Sequence, residues 1–460
     1  MRFLLCLSLA LLPFLPALSP AAEETTPRAT IQFPELSAMP DRTEDFRKQI
    51  AENGGTLLLE AGVHRITGTL EFALAGKGSA VIRPVGGRVT LIMDGPGPAI
   101  RIVGSHEGSA SPKSFQPATW NETMPLVEDI EIVGNHAEAD GIELVRTVEP
   151  ILSKVSVRWC RTGIRLFERN RNVTISNVNL YENSGIGLYL DDVNLHQINV
   201  ANSHISYNRG GGIVVRDGNV RNLHITGCDI EANMPGDDTA TTTANILLDV
   251  SGSPEDKSRS IAEVAITGCT IQHSSNYSGR QFDKIAPGGA NIRFLGKELR
   301  PIDSVTISGN VLSDAELNID LHTCLDITLT GNTFFAPNPD NLHVTNSKRV
   351  IVNGNTFNPR EFERPGRIVF DSCQDCIFSN NTLRALLAED GAVHVKSSTR
   401  MSLTDNLLTE SSGGIRIEES SDIVVKDWIV SLSTPPADGA WISKDEASSG
   451  IVETGNIIAK

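Results

Sequence analysis

One short phrase of residues recurs along this chain and constrains its fold more than any other feature. The phrase alternates apolar and polar residues and then reaches a Gly-Asn step, as at 305–312, 327–334 and 350–357. Alternation with a period of two predicts a β-strand, and Gly-Asn predicts a turn. The copies are mostly 18 to 26 residues apart, with two steps of 41. A repeat of this length is typical of a solenoid, in which each unit packs on its neighbours.

The second apolar residue of each copy anchors the repeat. These anchors are Ile132, Val157, Ile175, Val200, Ile225, Ile266, Ile307, Leu329, Val352, Phe378, Leu403 and Val425. A second short strand follows most anchors, for example at 141–144, 319–321 and 414–417, and no helical pattern separates the two. We therefore expect two or three strands per unit, stacked as parallel sheets with rungs ~4.8 Å apart. The fold class is all-β, a single-stranded parallel β-helix.

The third residue after the anchor is Asn or Cys in most copies. These residues are Asn135, Cys160, Cys228, Cys269, Asn310, Asn332, Asn355, Asn381 and Asn406. Because Asn can hydrogen-bond the turn backbone and the Asn of the next rung, we expect an inward asparagine ladder. The cysteines at this position would be small buried fillers. The alternatives of a Cys228–Cys269 disulfide and of a bonded or metal-binding Cys373–Cys376 pair stay open at this point.

The N-terminus has the pattern of a cleavable signal peptide over residues 1–22. It has Arg2 at the start, a mostly apolar stretch and a small-residue cleavage region at 19–22. We expect a linker at 23–40 and the β-helix domain at 41–460. The expected location is secreted or periplasmic, without a membrane anchor.

The first residues of the domain predict a capping helix. Asp41 and Glu44 are spaced as in a capping box, and Phe46 and Ile50 lie on one helical face. Gly54-Gly55 would end the helix. Such a helix would cover the apolar end of the solenoid.

The net charge and the lengths of the predicted loops restrict the classes of partner that we expect this chain to bind. The net charge of −16 argues against nucleic-acid binding, which requires clustered Lys and Arg. We expect a monomer with no membrane partner. Long insertions are predicted near 104–125, 234–260 and 273–301, and we expect the last two to project from one side and flank a groove.

Two stretches resemble known proteins. The segment GGTLLLEAGVHRI at 54–66, with the asparagine repeats after it, resembles the pectate-lyase-like superfamily over about residues 41–430. This resemblance implies a right-handed parallel β-helix. The superfamily includes polysaccharide lyases, glycoside hydrolases, epimerases, phage tailspikes and non-enzymatic repeats.

The second stretch is Val395-Lys396-Ser397-Ser398, with Asn406 ten residues after the lysine. It resembles the Lys-Ser motif of alginate and chondroitin lyases with this fold, which implies Lys396 as the base. In that family an arginine of the next rung assists the base. Here the matching position is Glu418, and Arg416 lies two residues earlier.

The outward positions of the second strands carry the candidate site, because residues that flank the inward apolar ones point away from the core. The predicted catalytic residues are Lys396, His394, Arg416, Asp371 and His322. The predicted substrate-binding residues are His343, Asp320, Glu418, Arg293, His204, Tyr207 and Glu231. The last three form a second region, which could share one groove with the first.

These residue types suit chemistry on a polysaccharide. A lyase needs a base and a cation beside a uronate carboxylate, which Lys396, His394 and Arg416 could supply. A glycoside hydrolase needs two carboxylates, which Asp371 with Asp320 or Glu418 could supply. A non-catalytic glycan-binding or surface protein is the third alternative. No cofactor and no metal ligand is assigned, and a calcium ion between carboxylates stays an open possibility.

Overall fold

The computed structural model describes residues 35–108, 112–235, 240–254, 259–274, 286–360, 363–433 and 440–459. The predicted signal peptide and most of the predicted linker lie outside these ranges. In the segment before Asp41, Leu36–Ala38 forms a short 3₁₀ helix. No helix among the described residues is long and apolar enough to cross a membrane.

The unit from Asp41 onward is a right-handed parallel β-solenoid of about 15 turns, which confirms the predicted fold class. It begins with helix α1 (Thr43–Glu52), and two further 3₁₀ helices span Pro112–Ser114 and Pro117–Glu122.

The strands follow in chain order. The first fourteen are β1 (Thr56–Ile66), β2 (Leu70–Ala73), β3 (Val81–Met93), β4 (Gly97–Val103), β5 (Leu126–Glu128), β6 (Ile130–Gly134), β7 (Ala139–Val148), β8 (Ile151–Ser153), β9 (Ser156–Arg158), β10 (Ile164–Ser176), β11 (Asn179–Tyr181), β12 (Ile186–Ala201), β13 (His204–Ser206) and β14 (Gly211–Arg216). The next thirteen are β15 (Asn219–Thr226), β16 (Asp229–Glu231), β17 (Ala244–Asp249), β18 (Ser260–Thr267), β19 (Thr270–Gln272), β20 (Ala290–Leu295), β21 (Ile302–Ser308), β22 (Val311–Ser313), β23 (Leu317–His322), β24 (Cys324–Thr330), β25 (Thr333–Phe335), β26 (Asp340–Thr345) and β27 (Lys348–Asn353). The last thirteen are β28 (Thr356–Phe357), β29 (Ile368–Asp371), β30 (Ile377–Ser379), β31 (Thr382–Arg384), β32 (Val393–Lys396), β33 (Thr399–Thr404), β34 (Leu407–Ser411), β35 (Ile415–Glu418), β36 (Ser421–Lys426), β37 (Ile429–Leu432), β38 (Ile442–Lys444), β39 (Val452–Thr454) and β40 (Ile457–Ile458).

Each turn of the solenoid contributes to three parallel sheets, which the chain visits in the order A, B, C. A turn in the second half shows the pattern: β21 belongs to sheet A, β22 to sheet B and β23 to sheet C, and each pairs with the strand three places later. The long strands β10 and β12 run from sheet C into sheet A without a break. Sheet C contains the predicted second strands.

The asparagine ladder is present at the corner between sheets A and B. Asn310, Asn332, Asn355 and Asn381 each donate from Nδ2 to Oδ1 of the next asparagine at 3.0 or 3.1 Å, and the series ends at Asn406. The same oxygens accept the backbone N–H of the preceding rung. A glycine precedes three of them with φ between +63° and +66°, the left-handed conformation that this tight corner requires.

A second asparagine ladder lies at the corner between sheets B and C, which the sequence did not predict. It joins Asn183, Asn208, Asn233, Asn245, Asn291, Asn318 and Asn341 through Nδ2–Oδ1 hydrogen bonds of 2.7 to 3.0 Å. The backbone N–H of Cys160 donates to Asn183 at 3.0 Å. Cys160 therefore belongs to this corner, and placing it with Cys228 and Cys269 was wrong.

The anchor assignment was wrong at the two earliest copies. Ile132 and Val157 pair with each other and Val157 pairs with Leu180, so both anchors lie in sheet B, whereas Ile175 lies in sheet A. Asn135 follows Ile132 and is exposed at the corner between sheets B and C. The step of 18 residues from Val157 to Ile175 thus joins two different sheets.

The six cysteines of the described chain are buried and free. Cys228 donates its backbone N–H toward Cys269 Sγ at 3.5 Å, so this pair continues the first ladder with sulfur in place of an amide oxygen. Phenylalanine rings stack further inside, with Phe334 and Phe357 4.6 Å apart between centroids.

The predicted capping box of Asp41 and Glu44 is not formed, since the N-cap of α1 is Arg42, which makes no side-chain cap hydrogen bond. Asp41 Oδ1 accepts from the backbone N–H of Thr43 at 3.0 Å, at the start of α1. Glu44 instead pairs with Arg47 at 2.6 Å, so the reciprocal bond of a capping box is not made. Phe46 and Ile50 are buried against the first rung.

The long connections lie on both edges of sheet C. Strand β17 lies within the predicted insertion 234–260, and β20 lies within the predicted insertion 273–301. Each strand divides its insertion into two shorter connections. Residues 232–243 and 273–289 join sheet B to sheet C, whereas 250–259 and 296–301 join sheet C to sheet A. Residues 104–125 also join sheet C to sheet A. The described ends of these connections therefore lie at both edges of sheet C, where one side was expected, and residues 236–239, 255–258 and 275–285 of the predicted insertions lie outside the described residues.

Candidate functional site

The outward residues of sheet C form two rows, one residue per rung. The first row runs Arg293, Asp320, His343, Val369, His394 and Arg416. The second row runs Leu295, His322, Thr345, Asp371, Lys396 and Glu418. Nine of the predicted site residues are therefore brought onto one sheet. We call the outward residues of β23, β26, β29, β32 and β35 the C-terminal face.

Lys396 is the exposed cation of this face. Its partners in register are Asp371 on one side and Glu418 on the other. Arg416 is in register with His394, and its Nη2 donates to Glu418 Oε1 at 2.6 Å. Asp371 and Glu418 thus lie beside the cations of the face, and a ligand carboxylate that binds Arg416 has to compete with Glu418.

His394 differs from the other histidines of the C-terminal face in its burial. Its side chain is 17% exposed, and its Nε2 is buried 3.9 Å from Asp390 Oδ2. Burial is the main cause that lowers the pKa of His394, with Arg367 and Arg416 acting in the same direction and Asp390 opposing them. The imidazole is therefore neutral near pH 7. Nε2 makes no hydrogen bond among the described residues, and a backbone hydrogen bond with Gly391 opposes the lowering of the pKa together with Asp390.

The remaining histidines of the face have their own partners. His343 Nε2 lies 3.1 Å from Asp340 Oδ2, and Asp340 also accepts from Arg367. His322 Nδ1 lies 2.8 Å from Thr323 Oγ1. Asp340, Arg367 and Asp390 are site residues that the sequence did not reveal. Arg367 and Asp390 lie in the connections that precede β29 and β32. The two-residue alternation that predicts outward positions applies only within strands.

The contacts of Arg293 differ from those of the residues of the C-terminal face. It is almost fully buried and donates to Asp320 at 2.7 Å and to the carbonyls of Thr242 and Gly288 at 2.9 and 2.7 Å. These carbonyls belong to the connections between sheets B and C. Arg293 therefore ties two long loops to the sheet.

A small apolar cluster closes the middle of the outward surface of sheet C. It consists of Val214, Ala244, Leu247, Ala290 and Leu317, and it is separate from the core inside the solenoid. Val214 and Leu247 occupy outward positions, yet both are fully buried. The long connections thus cover the central rungs and leave the C-terminal face as a distinct surface.

The second predicted region lies on another sheet. His204 and Glu231 belong to β13 and β16 of sheet B, and Tyr207 follows β13 at the corner. Tyr207 packs edge-on against Tyr181 with centroids 5.2 Å apart, and His204 lies 3.5 Å from Asp229. The second region lies on sheet B and the C-terminal face lies on sheet C, so the expectation that both regions line one groove was wrong.

Two buried groups near the second region extend it. His273 Nδ1 lies 3.4 Å from Asp314 Oδ2, and its Nε2 lies 3.9 Å from Glu231 Oε2. Trp159 donates from Nε1 to Glu182 at 2.8 Å on a neighbouring rung. Among the described residues, no group of three or more His, Cys, Asp or Glu side chains is arranged to hold a metal ion.

The family comparison agrees with this architecture. The model of the right handed beta helix region matches residues 121–251 and 257–429. The chain belongs to this β-helix family. The β-helix repeats of the match include both candidate regions and the apolar cluster between them. No curated protein matches the sequence.

Solved structures resemble this β-helix in fold. A tailspike protein of bacteriophage CBA120 is 9% identical over 92% of this chain, with a TM-score of 0.34, and the chain spans 57% of its length. A mannuronan C-5 epimerase module from Azotobacter vinelandii is 15% identical, covering 92% of this chain and 94% of its own, with a TM-score of 0.38. An alginate lyase from Paenibacillus is 14% identical, covering 68% and 92%, with a TM-score of 0.40. At this distance the likeness concerns the fold and assigns no activity.

Proposed function

We propose that this protein acts on an acidic polysaccharide by β-elimination at the C-terminal face. The observation that carries the proposal is the neutral, largely buried imidazole of His394, in register with Arg416 and two residues before the exposed Lys396. A lyase requires this pairing of an unprotonated base with nearby cations. We further propose that the protein is exported through its first 22 residues and meets its polysaccharide outside the cytoplasm.

In the proposed step, His394 takes the proton on the carbon beside the uronate carboxylate. Lys396 and Arg416 pair with that carboxylate and stabilise the charge that develops on it. The electron pair of the broken C–H bond forms the C=C bond, and the glycosidic C–O bond breaks. The leaving oxygen takes a proton from water. Lys396 has this binding role because it is exposed on the face, two residues after His394, which is the proposed base.

The test is a panel of uronate polymers, each assayed for ultraviolet absorbance and for reducing ends, with calcium and with a chelator. We expect ultraviolet-absorbing product from the wild type and a loss of at least ~10²-fold in His394→Gln, the usual contribution of a general base. Lys396→Ala should lose product while its melting temperature stays unchanged, since the side chain is exposed. Lys426→Ala is the matched control, because Lys426 is an exposed lysine of sheet A.

One observation favours a hydrolase as the second candidate. Asp371 and Glu418 lie two rungs apart in one row, which is ~9.6 Å at the usual strand spacing. This separation is close to that of the two carboxylates in inverting glycosidases. Reducing ends without ultraviolet absorbance, together with inactive Asp371→Asn, would support the hydrolase and refute the lyase. Binding without either product would refute both.

A further inference from the structure

A separate cleft of about 350 Å³ opens on the edge where sheet C turns into sheet A, in the first half of the solenoid. His106, Arg146, Arg169 and Arg259 are among the residues that line it, and we call it the corner cleft. Arg169 belongs to β10, many rungs before the C-terminal face. None of the residues predicted for the site from the sequence lies in this cleft.

The carboxylates of the corner cleft are already paired. Arg146 lies 3.4 Å from Glu107 and 3.3 Å from Glu168. Arg259 forms an ion pair with Asp192. Arg146 and Arg259 therefore form ion pairs with all three carboxylates of the lining.

Arg169 has no such counter-charge among the described residues. Its guanidinium donates to the carbonyl of Gly108, and burial lowers its pKa. Arg171 follows two residues later, is 3% exposed, and has its pKa lowered by burial and by the charge of Arg169. Arg169 is thus the arginine of the lining that has no ion pair among the described residues, in a protein whose net charge is −16.

His106 provides an independent sign of a ligand. Its side chain is 1% exposed, and its ring stacks on Phe115 at 4.6 Å between centroids. Its Nε2 atom is buried and makes no hydrogen bond to any described residue. Burial, then Arg169 and Arg171, lower the pKa of His106 to about 4. A buried ring nitrogen without a partner beside crowded arginines is the arrangement that an oxyanion would satisfy.

We propose that the corner cleft binds the carboxylate or sulfate group of an acidic saccharide through Arg169 and His106 Nε2. A guanidinium offers a planar pair of donors that matches either group. Phe167 lies in the same lining and presents an apolar ring against which a sugar can pack. The cleft is a binding site away from the proposed chemistry, so it holds the polymer whichever reaction the C-terminal face performs.

The experiment measures binding by calorimetry with three probes: inorganic sulfate, a galacturonate trisaccharide and a sulfated disaccharide. We expect at least one of the saccharides to bind the wild type and to bind Arg169→Gln about 10-fold more weakly, the usual effect of losing a charged hydrogen bond. The saccharide that binds identifies the group as carboxylate or sulfate ester. All titrations are repeated in the Lys396→Ala background, so that failure of the proposed lyase activity does not affect the result.

His106→Phe separates binding from folding. Phenylalanine keeps the stack on Phe115 and removes the unbonded nitrogen, so the variant should melt at or above the wild-type temperature while its affinity for the saccharide falls. Arg349→Gln is the control. Arg349 is an exposed arginine that pairs with Asp326, and both residues lie on rungs that follow those of the corner cleft. Equal affinity in wild type, Arg169→Gln and His106→Phe, or binding of sulfate alone, would overturn the proposal.

Discussion

Single asparagines hold the corners of this solenoid. In the first ladder, Asn332, Asn355 and Asn381 each accept a backbone N–H from the preceding rung and donate to the next side chain, so that a buried amide is left with its hydrogen bonds made. Asn355 also donates to the carbonyl of Leu329 at 3.1 Å. Such a residue therefore stabilises the fold because it supplies hydrogen bonds to buried backbone groups that no water can reach.

Asn355→Leu should lower the free energy of unfolding by about 1 to 3 kcal/mol, because the backbone N–H of Asn332 and the carbonyl of Leu329 lose their partners. Chemical denaturation followed by circular dichroism measures the change. Thr356→Leu is the control, since Thr356 is the next residue and is exposed on sheet B. Equal stability of the two variants would contradict this role of the ladder.

The two ladders also show where prediction from the sequence ends. The first ladder was predictable because its asparagines recur three residues after the anchor of a regular phrase, three of them directly after Gly. The second ladder contains Asn233 and Asn245, which are only 12 residues apart and yet stack, because the chain leaves sheet B and returns at the start of sheet C. No fixed spacing identifies such a residue, so its place follows from the path of the loop.

At the scale of elements, the long connections act as a cover on sheet C. Thr242 and Gly288 receive hydrogen bonds from Arg293, and the apolar cluster around Leu247 fills the space beneath. The sequence indicated that the loops are long. It did not indicate that they lie on both edges of one sheet, because loop direction depends on packing against outward residues that look like ordinary strand positions.

Leu247→Ala should destabilise the protein by about 2 to 5 kcal/mol, although Leu247 points away from the solenoid interior. The expected reason is the cavity left under the connections, which should also become more sensitive to limited proteolysis. Leu299→Ala is the matched control, because Leu299 is 82% exposed and its loss should change stability by no more than ~0.5 kcal/mol. Unchanged stability of Leu247→Ala would show that the loops do not depend on this cluster.

At the scale of the whole molecule, the sequence predicted the architecture well and the functional surface in part. The repeat length determined a parallel solenoid, and alternation brought His394, Lys396 and Arg416 onto one face. The protonation of His394 was beyond prediction, since it depends on burial under residues of a connection and on Asp390. The corner cleft was also hidden, because Arg169 and His106 come from rungs and loops that share no sequence pattern.

Histidines with lowered pKa values affect how the stability of the whole molecule changes at acid pH. Burial lowers the pKa of His106, His196 and His394, to about 4 for His106. In the unfolded chain a histidine has a pKa of about 6.5. Between these values the unfolded state binds more protons than the folded state, so stability present above pH ~6.5 is lost as the pH falls.

For His106 we therefore expect the free energy of unfolding to fall between about pH 6.5 and pH 4, by up to ~1.4 kcal/mol per pH unit. His196 and His394 add to this fall below pH ~6.5. Carboxylates with lowered pKa, such as Asp41 at about 2, contribute their loss at lower pH, which keeps the two windows apart. Urea unfolding at a series of pH values measures the slope. His106→Phe should flatten it, whereas Phe115→Leu should lower stability at every pH and keep the slope, because it alters the same stack without removing the titrating ring. A slope that is the same in wild type and His106→Phe would show that His106 is as easily protonated in the folded protein as in the unfolded chain.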